Sequence, residues 1–435
     1  MSSALKAGPS NSSKKRPLSS DADDHTSSLE GSSSKAAKIH PFFSKGPQES
    51  SQSGAFQWHK PLGIRGTCLY ATNLSPQSFS KVAAFDLDGT LIKAVKKASK
   101  GSPPGWEWWR RDKVPNALKD LSEQGYSVAI ISNQALKSAQ LITWKEKIAL
   151  IAAALPSVPF RLFAASAKDG FRKPMPGMWN ELSRIFKEDG VEIDKTASFY
   201  VGDAAGRHGD FASTDRMWAL NVELPFFTPE EYFLKQPTET KFKLGFDVTA
   251  LPTLPLFSPN AEAVIPEPPQ QEVVLFVGYP GVGKSTIHRR YFAPVGYQRI
   301  NQDTLGSREK CVKAVEEALR AGLSCVVDNT NRDKQTRKLY VSLAQHFKIP
   351  IRCFLFTGSR HLAWHNNLYR ALNLPPSLAS REEKRELVPE IAYTTYENNF
   401  EEPSISEGFS EIRKVNWVFE GTGEERKYWS MWLQL

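Results

Sequence analysis

Cysteine is scarce in this chain of 435 residues: four, at positions 68, 311, 325 and 353, with no C-x-x-C pair. Such isolated thiols argue against a disulfide framework or a cysteine zinc site, and they suit a reducing compartment. Long apolar runs are missing as well; none approaches the roughly 20 residues a membrane-spanning helix needs. The N-terminus is polar and serine-rich instead of carrying the apolar core of a secretory signal. These absences together predict a soluble intracellular protein. Residues 1–55 lack aromatics apart from Phe42 and Phe43 and are rich in Ser, Lys, Asp and Gly. They bury too little apolar surface to offset the entropy of ordering, so a disordered tail is expected. No internal repeat is present.

The length exceeds one ordinary core and points to two or three domains. Residues 1–55 carry seven Lys/Arg against five Asp/Glu, so +2 of the formal +9 is theirs and +7 belongs to the remainder, which suits a polyanionic partner. Between residues 251 and 271 prolines are dense enough to predict an extended linker without helix or sheet pairing. The expected organisation is a tail over 1–55, a globular block over 56–250, the linker over 251–271 and a second block over 272–435. Within the first block, strand-like runs at 82–86, 126–132, 160–165 and 197–202 alternate with helix-like runs at 115–124, 138–154 and 175–187. The second repeats the logic, with strands at 273–277, 297–300, 325–328 and 351–356 and helices near 284–293, 308–321 and 333–347. That alternation predicts an α/β protein of two tandem doubly wound domains with parallel sheets, whose chemistry gathers at the carboxyl ends of the strands.

Phe85-Asp86-Leu87-Asp88-Gly89-Thr90-Leu91 follows the first strand. Side chains at i and i+2 of an extended segment point the same way, so Asp86 and Asp88 can reach one reaction centre. Hydrolysis of a phosphate monoester needs a nucleophile, a proton donor for the leaving alcohol, and positive charge against the phosphoryl oxygens. Asp86 is the candidate nucleophile, forming an aspartyl-phosphate; Asp88 protonates the leaving oxygen and then activates water. A second signature, Gly278-Tyr279-Pro280-Gly281-Val282-Gly283-Lys284-Ser285, is a complete G-x-x-x-x-G-K-S loop between a strand and a helix. Gly278, Gly281 and Gly283 let backbone amides close around phosphates, Lys284 bridges the outer phosphates, and Ser285 ligates Mg²⁺ with Thr286 as the reserve hydroxyl. Asp303, after the next strand, is the candidate base for an attacking hydroxyl; its structural alternative is an N-cap for the helix near 308. Asp328, Thr330 and Asn331 form a polar cluster after a third strand. Of the arginines at 332, 337, 360 and 370, Arg337 and Arg370 are the candidates to clamp the triphosphate.

The first signature resembles the opening motif of the haloacid dehalogenase superfamily. That resemblance assigns Ser132 and Asn133 to phosphoryl binding, Lys173 to phosphate neutralisation, and Asp203, beside Asp86 and Asp88, to a Mg²⁺ shell, with Asp210 as a second acid. Taken with Ile131-Ser132-Asn133-Gln134, Arg172-Lys173-Pro174, Asn301-Gln302-Asp303-Thr304-Leu305-Gly306 and Asp328-Asn329-Thr330-Asn331, the chain from about residue 56 onward resembles the eukaryotic polynucleotide kinase 3′-phosphatases. The resemblance implies a monomeric nuclear DNA-repair enzyme. It would hydrolyse 3′-phosphate ends and phosphorylate 5′-hydroxyl ends, using Mg²⁺ and ATP, with Asp86 as phosphatase nucleophile and Asp303 as kinase base. Residues 1–55 cannot supply the β-rich forkhead-associated module of the animal proteins. RNA-end healing, a metabolic phosphatase–nucleoside kinase fusion and a non-catalytic scaffold are the competing readings.

In the tail, Lys14-Lys15-Arg16-Pro17 fits a nuclear-import signal. Ile39, Phe42 and Phe43 have the spacing of a sliding-clamp-binding peptide, with Ala36 where a glutamine is usual. Trp106, Trp108, Trp109, Arg110 and Arg111 suit either base stacking or core packing, whereas Trp417, Trp429 and Trp432 read as core. A peptide spanning residues 30–48 is expected to bind a sliding clamp with micromolar affinity in a fluorescence-anisotropy titration. No binding in that range removes the clamp assignment.

Overall fold

A computed structural model describes residues 56–95, 105–134, 136–260, 263–379 and 385–434. The import signal and the Ile39/Phe42/Phe43 cluster lie outside them. The first sheet is built from β1 (Gln57–Trp58), β2 (Cys68–Asn73), β3 (Lys81–Phe85), β6 (Tyr126–Asn133), β7 (Phe160–Ala165), β8 (Phe199–Val201) and β9 (Phe226–Phe227), with β4 (Ile92–Ala94) and β5 (Trp106–Trp108) forming a separate hairpin. Its order is β1-β2-β7-β6-β3-β8-β9. β3 lies in the interior between β6 and β8, parallel to both. The expectation of a wholly parallel sheet fails at one edge, where β2 runs antiparallel to both β7 and β1. β2 was not anticipated, because Tyr70 and Thr72 break its apolar run.

Strand alternation divides the core into two layers. Phe85, Val128 and Ile130 face Val114, Leu118, Ile148 and Ile151 of the helices Val114–Glu123 and Ser138–Ala153. Val82, Ala84 and Ile131 face Met178, Leu182, Phe186 and Trp218 of the helices Gly177–Glu188 and Thr214–Val222. Trp106, Trp108 and Trp109 pack against the first layer, which favours the core reading of that cluster.

The second sheet comprises β10 (Phe257–Ser258), β11 (Val273–Val277), β12 (Gln298–Ile300), β13 (Cys325–Val327), β14 (Ile351–Phe356) and β15 (Glu411–Val415), in the order β10-β15-β14-β11-β13-β12. All neighbours are parallel except β10, which pairs antiparallel with β15. The proline-rich stretch therefore does enter a sheet: Phe257 and Ser258 sit between prolines and add an edge strand, where missing donors are tolerated. The helix expected over 284–293 is α-helical only at Lys284–Ile287 and widens to a π-turn at His288–Phe292 before Pro294.

Residues Gln52–Leu435 cluster as one compact unit. Met175 of the first half packs with Leu368, Met431 and Leu433 of the second. Asn221 donates to the carbonyls of Pro174 (2.8 Å) and Trp432 (2.7 Å) and accepts from the Trp432 amide.

His365, on the helix Arg360–Leu372, fixes the C-terminal helix by a 2.6 Å contact to the Trp429 carbonyl. Burial lowers its pKa from 6.5 to about 4, against the opposing pull of that carbonyl. The unfolded chain consequently binds the proton first, and stability is lost as pH falls from about 6.5 toward 4, on the order of 1.4 kcal/mol per pH unit. Urea denaturation of His365→Gln is expected to show a flatter decline across that window than the wild type; equal slopes would contradict the assignment.

Candidate active sites

The carboxyl ends of β3, β6 and β8 converge on one buried ammonium. Asp86 directly follows β3, and its amide donates to the Val201 carbonyl of β8, continuing the ladder to the edge of the site. Lys173 Nζ lies 2.6 Å from Asp86 Oδ1 and 2.7 Å from Asp215 Oδ1, and it donates to the Ile131 carbonyl at 2.9 Å. Tyr200 OH accepts from Lys173 at 2.8 Å and donates to Asp215 Oδ1 at 2.8 Å. Asn133 holds the Lys173 backbone at both ends, accepting from its amide (2.8 Å) and donating to its carbonyl (3.0 Å). The predicted Asn133 thus acts by placing the lysine.

Asp86, Asp203 and Asp215 each bring one carboxylate oxygen within 4.8 Å of the others. Three carboxylates against one ammonium leave two negative charges in a buried space. Burial pushes Asp86 well above the usual carboxylate range, with Lys173 opposing and Asp215 and Asp203 adding to the rise. Burial, then Asp215, raises Asp203 to about 7. Burial alone would lower Lys173, but Asp215 and Asp86 outweigh it and raise the ammonium. Three hard oxygen donors carrying an excess of two negative charges fit a divalent cation such as Mg²⁺.

Gly89 explains why the motif needs glycine: φ is +97°, and a Cβ there would strike the Asp203 carboxylate. Asp88 stands apart from the carboxylate group. Its side chain is half exposed and accepts from Gln134 Nε2 (2.8 Å) and Lys147 Nζ (3.0 Å). Asp88 was expected with Asp86 and Asp203, but its carboxylate does not join their group, and Asp215 does. Gln134 Nε2 also donates to Ser132 Oγ at 2.9 Å, so Asp88 and Ser132 share one amide nitrogen beside the site. Asp210 is likewise corrected, since it binds Arg207 at 3.0 Å and the amides of Ala205 and Arg207 instead of joining the cluster. Asp215 was missed because it lies beyond Asp210, in the first turn of an apolar helix; its signal was an acid made immobile by that helix.

In the second sheet the loop over residues 278–285 leaves the carboxyl end of β11. Gly281 and Gly283 hold φ of +84° and +92°, which curl the loop. Lys284 Nζ donates to the carbonyls of Gly278 (2.9 Å) and Tyr279 (2.5 Å), and burial lowers its pKa to about 8. Ser285 Oγ donates to Asp328 Oδ2 at 2.7 Å, giving a pair of hard oxygens that suits Mg²⁺; Arg299 contacts both partners. Thr286 is exposed beside Arg289. Asp303 is exposed in the turn Gln302–Leu305. Asn301 caps that turn and Ser307 caps the next helix, so capping does not use the Asp303 carboxylate.

A cavity beside the loop is lined by Gly281, Gly283, Thr286, Asn366, Arg370 and Trp417. The Trp417 ring lies 3.4 Å from where a Gly283 Cβ would sit. The reading of Trp417 as plain core is corrected: it stacks on Trp429 but also walls this cavity. Arg337 is corrected too. It is fully buried, forks onto Glu407 at 2.7 and 2.8 Å, and donates to the carbonyls of Asn331, Arg332 and Glu401. Arg360 is engaged by Glu390 and Glu397.

Residues 81–233 match the family described as polynucleotide kinase 3 phosphatase, and residues 307–403 match an AAA domain. A bifunctional polynucleotide phosphatase/kinase of Schizosaccharomyces pombe is 37% identical over 363 residues, covering 81% of this chain and 83% of its own. A putative bifunctional polynucleotide phosphatase/kinase of Acanthamoeba polyphaga mimivirus is 30% identical over 374 residues, covering 78% and 85%. A polynucleotide 3′-phosphatase of Arabidopsis thaliana is 35% identical over 183 residues, covering 36% of this chain and 24% of its own.

Arg337→Met leaves Glu407 buried without its partner and is expected to cost about 3–5 kcal/mol in urea denaturation, with the KM for ATP of the folded protein unchanged. Arg370→Ala is expected to raise that KM about tenfold, the worth of one charge-assisted contact. The opposite pattern would restore Arg337 to the nucleotide site.

Proposed function

Because the chain belongs to the family of bifunctional polynucleotide phosphatase/kinases, we propose that it makes broken DNA ends joinable, removing 3′-phosphates at one site and adding 5′-phosphates at the other. The phosphatase occupies residues 56–250 and the kinase residues 272–435. One observation carries the reading: the Asp86–Lys173 pair and the 278–285 loop occupy the carboxyl ends of central strands in two sheets of one chain.

In the phosphatase, the Asp86 oxygen not held by Lys173 attacks phosphorus, and the bond to the 3′-oxygen breaks. Asp88 gives that oxygen its proton, leaving a 3′-hydroxyl and an aspartyl-phosphate. Asp88 then takes a proton from water, whose oxygen attacks the same phosphorus to release inorganic phosphate and restore Asp86. Lys173 and the Ser132 hydroxyl bind the phosphoryl oxygens. Asp86, Asp203 and Asp215 would hold a Mg²⁺ ion, which would supply the remaining positive charge.

In the kinase, loop amides and Lys284 bind the phosphates of ATP, Trp417 and Arg370 flank the nucleotide, and Ser285 with Asp328 would hold the accompanying Mg²⁺. Asp303, exposed and free of capping duty, accepts the proton of the 5′-hydroxyl as it attacks the γ-phosphorus, and ADP departs. A DNA-repair role places the protein in the nucleus, where the 14–17 basic run serves import and the Ile39/Phe42/Phe43 peptide contacts a sliding clamp. The enzyme acts as a monomer.

On a nicked duplex bearing 3′-phosphate and 5′-hydroxyl ends, Asp86→Asn is expected to lower 3′-phosphate release at least about 10³-fold and spare phosphorylation; Lys284→Ala does the reverse. A metal chelator stops both. Loss of both activities in either variant would contradict two separate sites.

A further inference from the structure

Lys147 is the one cation in contact with Asp88 among the described residues, and the reaction as written gives it no role. It projects from the middle of the helix Ser138–Ala153, whose neighbours Trp144 and Ile148 are buried in the core. Its side chain is only 13% exposed although its partner is 51% exposed, so the ammonium is delivered to the mouth of the site on a supported stem. Both Asp88 oxygens accept hydrogen bonds, one from Gln134 and the other from Lys147. To act as proton donor, Asp88 must turn one oxygen toward the leaving 3′-oxygen; both are held, and of the two holders only Lys147 carries a charge that another anion can draw away.

The substrate offers the ammonium another anion. The leaving oxygen sits on the terminal sugar, and the same sugar carries, on its 5′ side, the phosphodiester that joins it to the strand. With the terminal phosphate bound by Lys173 and Ser132, that diester is the next anion along the substrate from Asp88. We propose that Lys147 is a substrate-binding cation of the phosphatase: as a strand end enters, its ammonium passes from Asp88 to the terminal internucleotide phosphodiester. The exchange turns recognition of a polynucleotide into release of the proton donor. The Asp88 end of the pair is half exposed, and the ammonium stays paired as it trades one anion for another. A free nucleoside 3′-phosphate lacks the diester and leaves Asp88 occupied. The proposal deepens the 3′-phosphatase reading and rests on it.

The test is a cycle of two proteins and two substrates, read as kcat/KM. The substrates are one 3′-phosphorylated oligonucleotide with natural linkages and one whose terminal linkage is an uncharged methylphosphonate. For the wild-type protein, the neutral linkage is expected to lower kcat/KM about tenfold. Lys147→Gln should fall on the natural oligonucleotide, lose nothing on the neutral one because Asp88 is no longer occupied, and so lose the preference between them, and its dependence on log salt should be shallower by about one unit. Lys147→Arg should keep the wild-type preference, which separates charge from packing. Losses that multiply, equal wild-type rates on the two substrates, or an unchanged Lys147→Gln would each overturn the proposal. Failure of the wild type to release phosphate from the natural oligonucleotide would instead overturn the 3′-phosphatase reading.

Discussion

Everything in the phosphatase half is arranged around the burial of Lys173. A lone ammonium out of water is costly, and it is tolerated here because Asp86 and Asp215 lie at ion-pair distance while Tyr200 and the Ile131 carbonyl take its remaining protons. The same contacts fix the proposed nucleophile, Asp86, through one of its carboxylate oxygens. Taking away one partner of such a pair leaves an uncompensated buried charge and costs about 3–5 kcal/mol. Stability and chemistry therefore draw on the same few atoms.

The lysine does not stand on its own sheet alone. Its segment is pinned by Asn133 on one side and by the second half of the chain on the other, where Met175 packs on Leu368, Met431 and Leu433. A Cβ on Gly170 would lie 2.7 Å from the Leu372 carbonyl, so the loop entering the site is pressed against the end of the helix Arg360–Leu372. That helix also carries Arg370 to the cavity beside the 278–285 loop. The two sites thus share one structural strut, and the C-terminal residues serve the phosphatase as much as the kinase.

Much of this was legible in the sequence because it is local. The runs at 82–86, 126–132 and 160–165 are mostly apolar, interrupted by Asp86, Ser127, Ser132 and Arg161, which is the mark of strands buried on both faces. From the sequence motifs Asp86, Lys173 and Asp203 were expected at one site, and the structure brings them together; Lys284 and Asp303 were expected at another. What escaped is set by distant partners. Nothing near Arg337 reveals Glu407, which turns an apparent phosphate clamp into a buried strut. Asp215 has no motif around it, and only folding of the Thr214–Val222 helix brings it to Lys173. Trp417 looks like any core tryptophan until β15 delivers it beside Gly283. β10 was hidden by its prolines.

The account stands or falls on the buried charge. A crystal soaked in Mn²⁺, with anomalous scattering recorded at the manganese edge, locates the cation directly. The account predicts one peak within coordinating reach of Asp86, Asp203 and Asp215, absent in crystals of Asp215→Asn. No peak there, with the Asp86–Lys173–Asp215 group excluding the ion, would contradict it, whatever is bound at Ser285 and Asp328.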